Sequence, residues 1–71
     1  MYYKTIAEKL SQSGWTITEE SHGGNLYQHY FKYDHPNDKA GQTIEIVCTS
    51  NNDGRPGRII KMWQGGKPCY V

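Results

Sequence analysis

Residues 26–49, LYQHYFKYDHPNDKAGQTIEIVCT, decide the fold. Two alternating runs flank a polar loop at 34–42, where His35-Pro36-Asn37-Asp38 and Ala40-Gly41 break regular structure. That arrangement predicts two antiparallel strands. In the second of them Ile44, Ile46 and Cys48 point inward, while Thr43, Glu45 and Thr49 point outward. The first strand has two possible inner faces. One carries Leu26, Gln28, Tyr30 and Lys32, and the other carries Tyr27, His29, Phe31 and Tyr33. Apolar area favours burying the second set, which puts His29 at the edge of the core. The opposite choice leaves His29 on an exposed aromatic surface, as in a binding site. A one-residue change of register swaps the two faces, so alternation alone leaves both open.

Upstream, residues 3–13 predict a short helix. Tyr3, Ile6, Ala7 and Leu10 fall at i, i+3, i+4 and i+7 and share a face, with Lys4, Glu8, Lys9 and Gln12 opposite. Lys4 and Glu8 are spaced to pair, and Gly14 is the expected stop. A helix this short needs an apolar surface to dock on. Residues 15–19, WTITE, predict a half-buried strand with Trp15 and Ile17 inward and Trp15 lying against the helix. Residues 21–25, SHGGN, have turn composition, as do residues 50–54, SNNDG.

The C-terminal stretch admits two structures. Residues 56–63, PGRIIKMW, form either a short helix with Ile59, Met62 and Trp63 on one face, or a strand turning at Gly65-Gly66 and returning through Cys69-Tyr70-Val71. The helix is the preferred expectation, kept short by Gly65-Gly66 and Pro68. The expected fold is therefore α+β: an N-terminal helix on a three-stranded antiparallel sheet, then a short C-terminal helix or hairpin.

The chain has 71 residues, enough for one small domain with a thin core, to which its nine aromatic residues must contribute much. The longest apolar run is Ile46-Val47-Cys48, so no membrane span is expected. The first residues, MYYKTIAEKLSQ, lack the apolar core of a signal peptide, which predicts a cytoplasmic protein. Cys48 and Cys69 are far apart and form no CxxC, so free thiols are expected. Charge is unevenly distributed. Residues 1–54 hold four Lys against seven Asp and Glu, while residues 55–71 hold Arg55, Arg58, Lys61 and Lys67 and no acid. Such a basic end suits phosphate or an acidic protein, or is simply solvated.

The chemistry-bearing residues are few. His22, His29 and His35 have no ligand spacing among themselves or with the cysteines, so no metal site is expected. The phosphate-binding glycine motifs are absent, and no cofactor is expected. One histidine suffices for RNA cleavage, because the ribose 2′-hydroxyl is the nucleophile and the protein supplies a base, an acid and phosphate-holding cations. His29 is the candidate base, with His22 in reserve; Arg55, Arg58, Lys61 and Lys67 are the candidate phosphate ligands. The plainer alternative, and the preferred one, is that His29 is a sheet histidine satisfied by a neighbour. Tyr27, Tyr30 and Tyr33 are candidates for base stacking or for contact with a protein, although packing is the commoner use of such a strand. Gly54-Arg55-Pro56 matches part of a minor-groove hook, but Asp53 opposes its charge.

The order of these features resembles the HicA-type toxins, which are small RNA-cleaving proteins with a double-stranded-RNA-binding-domain-like α-β-β-β-α fold. The similar pieces are the helix running into Gly14-Trp15, the histidine-containing second strand, His35-Pro36, the third strand from Thr43 to Val47, and residues 56–63 beginning Pro-Gly. Within the family's Ser-His-His stretch, anchoring on Phe31 places Gln28 and His29 at the histidine pair. Anchoring on Ser21-His22 instead leaves Gly23-Gly24 at the positions that follow. Thr49-Ser50-Asn51-Asn52 stands where a Pro-His pair is expected. The resemblance implies RNA as substrate and an antitoxin as partner. A function of another class also fits: a protein-binding inhibitor, of phage or plasmid type, that blocks a host enzyme or defence complex without catalysis.

Overall fold

The computed structural model describes residues 1–22, 28–37 and 41–69. It contains α1 (Tyr3–Gln12), β1 (Thr16–His22), β2 (Gln28–Asp34), β3 (Ile44–Ser50), β4 (Pro56–Gln64) and β5 (Lys67–Pro68). The α+β class and the antiparallel sheet agree with the expectation from sequence. The sheet, however, has five strands in the order β1-β2-β3-β4-β5, not three. The chain before the helix also runs along β4, with Tyr2 bridged to Arg58 and the Ile59 N–H donating to the Met1 carbonyl at 3.0 Å.

The preferred C-terminal helix is instead the longest strand, β4. Bulges in the β3–β4 pairing explain the misreading. The register passes from Val47↔Lys61 directly to Cys48↔Ile59, leaving Ile60 as the extra residue. Ile59 and Met62 then pair with Cys48 and Ile46, whose side chains share the core face. Residues three apart therefore lie on one side of a strand, which a sequence presents as helical spacing. Gly65 and Gly66, both at positive φ (60° and 80°), close the hairpin to β5.

The core lies between α1 and one face of the sheet. It comprises Tyr3, Leu10, Phe31, Tyr33, Ile44, Ile46, Cys48 and Ile59, with Ile6, Ala7, Trp15 and Met62 packed against it. The aromatic face of β2 is the buried one: Phe31, Tyr33 and His29 are all inside. Tyr3 stacks on Phe31 with ring centroids 4.2 Å apart, and its hydroxyl hydrogen-bonds to that of Tyr33. Leu26 and Tyr27 lie outside the described residues.

β1 differs from the expected half-buried strand. All seven of its residues are exposed, including Ile17. It is an edge strand, and a bulge between Ile17 and Glu19 shifts its register. Ser21 and His22, expected in a turn, complete β1, while residues 23–25 lie outside the described residues. Trp15 is half-buried and edge-on to His35.

His35-Pro36 has a structural role here. The His35 Nε2–H donates to the Ser13 carbonyl at the end of α1 (2.9 Å), and Nδ1 accepts from the Asn37 N–H (3.1 Å). Gly14, at φ 89°, makes the adjoining left-handed turn, as the sequence predicts.

Candidate interaction surfaces and the histidine row

Register places His22 and His29 side by side. They are cross-strand partners, with ring centroids 4.6 Å apart in an edge-on arrangement. His29 is only 4% exposed and lies nearly parallel to Phe31. Its Nε2 is 3.2 Å from the Ser50 Oγ. Ser50 directs its hydroxyl to the Asn51 carbonyl (3.4 Å), so its oxygen accepts from Nε2–H. This is a sheet histidine satisfied by a neighbour. Its row continues through Cys48 to Ile59, both in the core. The desolvation of that row pushes the Cys48 thiol up to about 11. His22, by contrast, is exposed on the edge strand.

The candidate cations do not gather around His29. Lys61 pairs with Val47, which pairs with Tyr30, so Lys61 belongs to the opposite face of the sheet. Arg55 is exposed in the β3–β4 turn, with Nε 3.7 Å from the Asp53 Oδ2. Arg58 is exposed on β4, its N–H donating to the Thr49 Oγ1 at 3.1 Å. Lys67 is exposed on β5.

The helix-free face carries two cross-strand rows. One is Ser21, Tyr30, Val47 and Lys61; the other is Glu19, Lys32, Glu45 and Trp63. Tyr30, Val47 and Trp63 are half-buried. Partial burial, then the adjacent Glu45 carboxylate, raise the Tyr30 hydroxyl above its ordinary pKa. Of the three candidate tyrosines, Tyr30 faces outward, Tyr33 is a core residue, and Tyr27 lies outside the described residues.

Charge asymmetry along the chain becomes asymmetry across the sheet. β1 carries Glu19 and Glu20 and no Lys or Arg, whereas β4 and β5 carry Arg58, Lys61 and Lys67 and no acid. The basic side also holds exposed apolar surface. Ile60 is 45% exposed and Met1 49%. They border an open cavity of about 450 Å³, whose floor and walls include Met62, Trp63 and Pro68 and whose rim carries Arg58 and Lys61. Its described lining contains no carboxylate. A larger groove, about 730 Å³, separates α1 from the β3–β4 turn. There Lys4 and Arg55 are balanced by Glu8 and Asp53, so the groove favours neither sign of ligand.

The sequence singled out the cations but not the exposure of Ile60 beside them. Its available signal was the adjacent pair Ile59-Ile60: in a strand, one of two neighbours normally faces away from the core. Among the described residues, no cluster of three or more His, Cys, Asp or Glu is arranged to hold a metal, and no helix is long and apolar enough to cross a membrane. Cys48 and Cys69 are free thiols. Comparison with family models, curated proteins and solved structures returned no match to this chain.

Proposed function

We propose that this protein is a non-catalytic protein-binding module, an inhibitor that acts by occupying the surface of a larger enzyme or defence complex. The observation that carries this reading is the basic, apolar surface along β4: exposed Ile60 and Met1 beside Arg58 and Lys61. A partner that covers exposed aliphatic side chains while meeting cations with acids gains both burial and charge complementarity. The adjoining helix-free face extends that surface through Trp63, Val47 and Tyr30. Burial of His29 supports the same reading, because a 4% exposed imidazole bonded to Ser50 cannot reach a substrate proton from its slot.

The second reading is RNA binding or cleavage of the HicA-like kind, with an antitoxin as natural partner. One observation favours it: His22 is exposed and packs against the buried His29. In that reading His22 supplies the base, His29 positions it, and the β4–β5 cations hold phosphate.

Inducible expression in a bacterial host separates the two, with growth and total mRNA integrity followed for wild type, His22→Ala and Ile60→Glu. The protein-binding reading expects intact mRNA throughout and a growth effect abolished by Ile60→Glu but retained in His22→Ala. Loss of mRNA that His22→Ala prevents would replace it with the nuclease reading.

A further inference from the structure

Resting on the protein-binding reading, we infer that the cavity at the β4 bulge is an anchor pocket for an acidic, extended segment of the partner, one of whose apolar side chains enters between Ile60 and Pro68 while flanking carboxylates meet Arg58 and Lys61. The bulge makes the pocket. Without its extra residue, β4 would continue the alternation set by Lys61 and Met62; with it, Ile60 is added as an exposed residue while Ile59 stays in the core. An isoleucine 45% exposed forfeits burial that its neighbour Ile59, 5% exposed, obtains.

The cavity's size and polarity define the ligand. At about 450 Å³ it lies within the range of clefts that hold small ligands or a few side chains. Its apolar surfaces come from Met1, Ile60, Met62 and Pro68, which suit an aliphatic side chain. Arg58 and Lys61 are exposed, and no described lining residue neutralises them. That pairing of an aliphatic pocket with an unopposed basic rim selects an acidic peptide over a neutral one. It also favours peptide over nucleic acid, because base stacking calls for an aromatic platform, whereas Trp63 is half-buried and Ile60 is the exposed residue. An extended ligand fits because residues two apart face the same way, so an inserted residue and the acids two positions to either side of it can be offered along one short run.

The test is nitrogen-15 NMR titration of the full chain with three probes: a short Glu-Leu peptide in which serines separate the two so that each Leu lies two residues from a Glu, a Glu-Ser peptide of equal charge without Leu, and an oligouridylate of equal charge. The Glu-Leu peptide is expected to shift the amides of Ile60, Lys61, Met62 and Cys69. Ile60→Ser is expected to weaken it about tenfold or more, with an unchanged circular dichroism spectrum. Arg58→Glu with Lys61→Glu is expected to abolish it, and salt to weaken it. Equal binding of the Glu-Ser peptide would overturn the anchor pocket while leaving a basic protein-binding surface. Tighter binding of oligouridylate at the same amides would overturn the pocket and the protein-binding reading together. No shift at these amides with any probe would overturn the anchor pocket alone, since the helix-free face remains testable in cells with Tyr30→Glu.

Discussion

The two margins of the sheet use the same device to opposite ends. β1 and β4 each contain a bulge, and each carries an isoleucine nearly half exposed, Ile17 at 46% and Ile60 at 45%; in β4 that isoleucine is the extra residue, whereas in β1 the extra residue is Thr18 and Ile17 pairs with Tyr33. On β1 the bulge is followed by Glu19 and Glu20 on a strand with no buried residue. A bulged, charged edge resists pairing with another sheet. On β4 the bulge lies beside cations and a cavity, and the strand also supplies core residues. The same irregularity therefore lies within a charged, exposed edge strand at β1 and beside a basic-rimmed cavity at β4; the neighbouring side chains make the difference.

The largest expected difference between the margins is in stability. Ile59→Ala removes a core side chain paired with Cys48 and is expected to cost about 3 kcal/mol. Ile17→Ala, on the exposed edge, is expected to cost less than about 1 kcal/mol. Urea denaturation of both variants checks this. Equal costs would mean that β1 is covered in solution, and would remove the contrast on which the protective role of its bulge depends.

The histidine row sharpens the comparison on a smaller scale, because it begins on exposed β1 and ends in the core. His29→Ala removes the hydrogen bond from the imidazole to the Ser50 hydroxyl and opens space beside Phe31, for an expected loss of about 1–3 kcal/mol. His22→Ala is expected to stay within about 0.5 kcal/mol of wild type. Urea midpoints measured side by side decide it. A His29→Ala variant as stable as wild type would return His29 to the list of residues kept for chemistry.

These contrasts also explain what was legible in the sequence. The helix, the antiparallel pairing of the two strands predicted within residues 26–49 and the inward set Ile44, Ile46 and Cys48 follow simple periods, and the structure has α1, β2 paired with β3, and that inward set. The burial of Phe31 and Tyr33 followed apolar area. The C-terminal strand was obscured because the Ile60 bulge turns a two-residue period into a three-residue one, and a bulge has no composition of its own. β1 was assigned too much burial because an alternating pattern does not reveal how far the helix reaches across the sheet. The candidate site was legible as charge: Arg58, Lys61 and Lys67 do share one side of the sheet. The exposed apolar surface beside it was not, since the register of β4 against β3 decides that Ile59 is buried and Ile60 exposed. His29 was visible as a choice between chemistry and packing, and the deciding neighbour, Ser50, lies 21 residues away.

The smallest effect concerns Asp34, where β2 meets both its neighbours. Its carboxylate accepts from Thr43 (2.5 Å) and from Thr18 (2.8 Å). Those two hydrogen bonds, Thr43 first, lower its pKa below the ordinary carboxylate value. A lowered pKa in the folded state means that the unfolded chain binds the proton more readily, so stability increases with pH across the interval between the two values. The contribution is complete above the unfolded pKa and disappears as pH falls through the folded one. Asp34→Asn removes the titration and is expected to flatten the acid limb of stability against pH while leaving the alkaline limb in place. Cys48 acts in the other direction: with its thiol raised from 9.0 to about 11, the folded chain retains a proton that the unfolded chain releases, and stability falls as pH rises through that window. Thermal melts from acid to alkaline pH read both limbs. An unchanged acid slope in Asp34→Asn would show that the hydroxyl bonds from Thr18 on β1 and from Thr43 beside β3 do not hold the exposed edge strand to the interior of the sheet, leaving the backbone ladder as the tie between them.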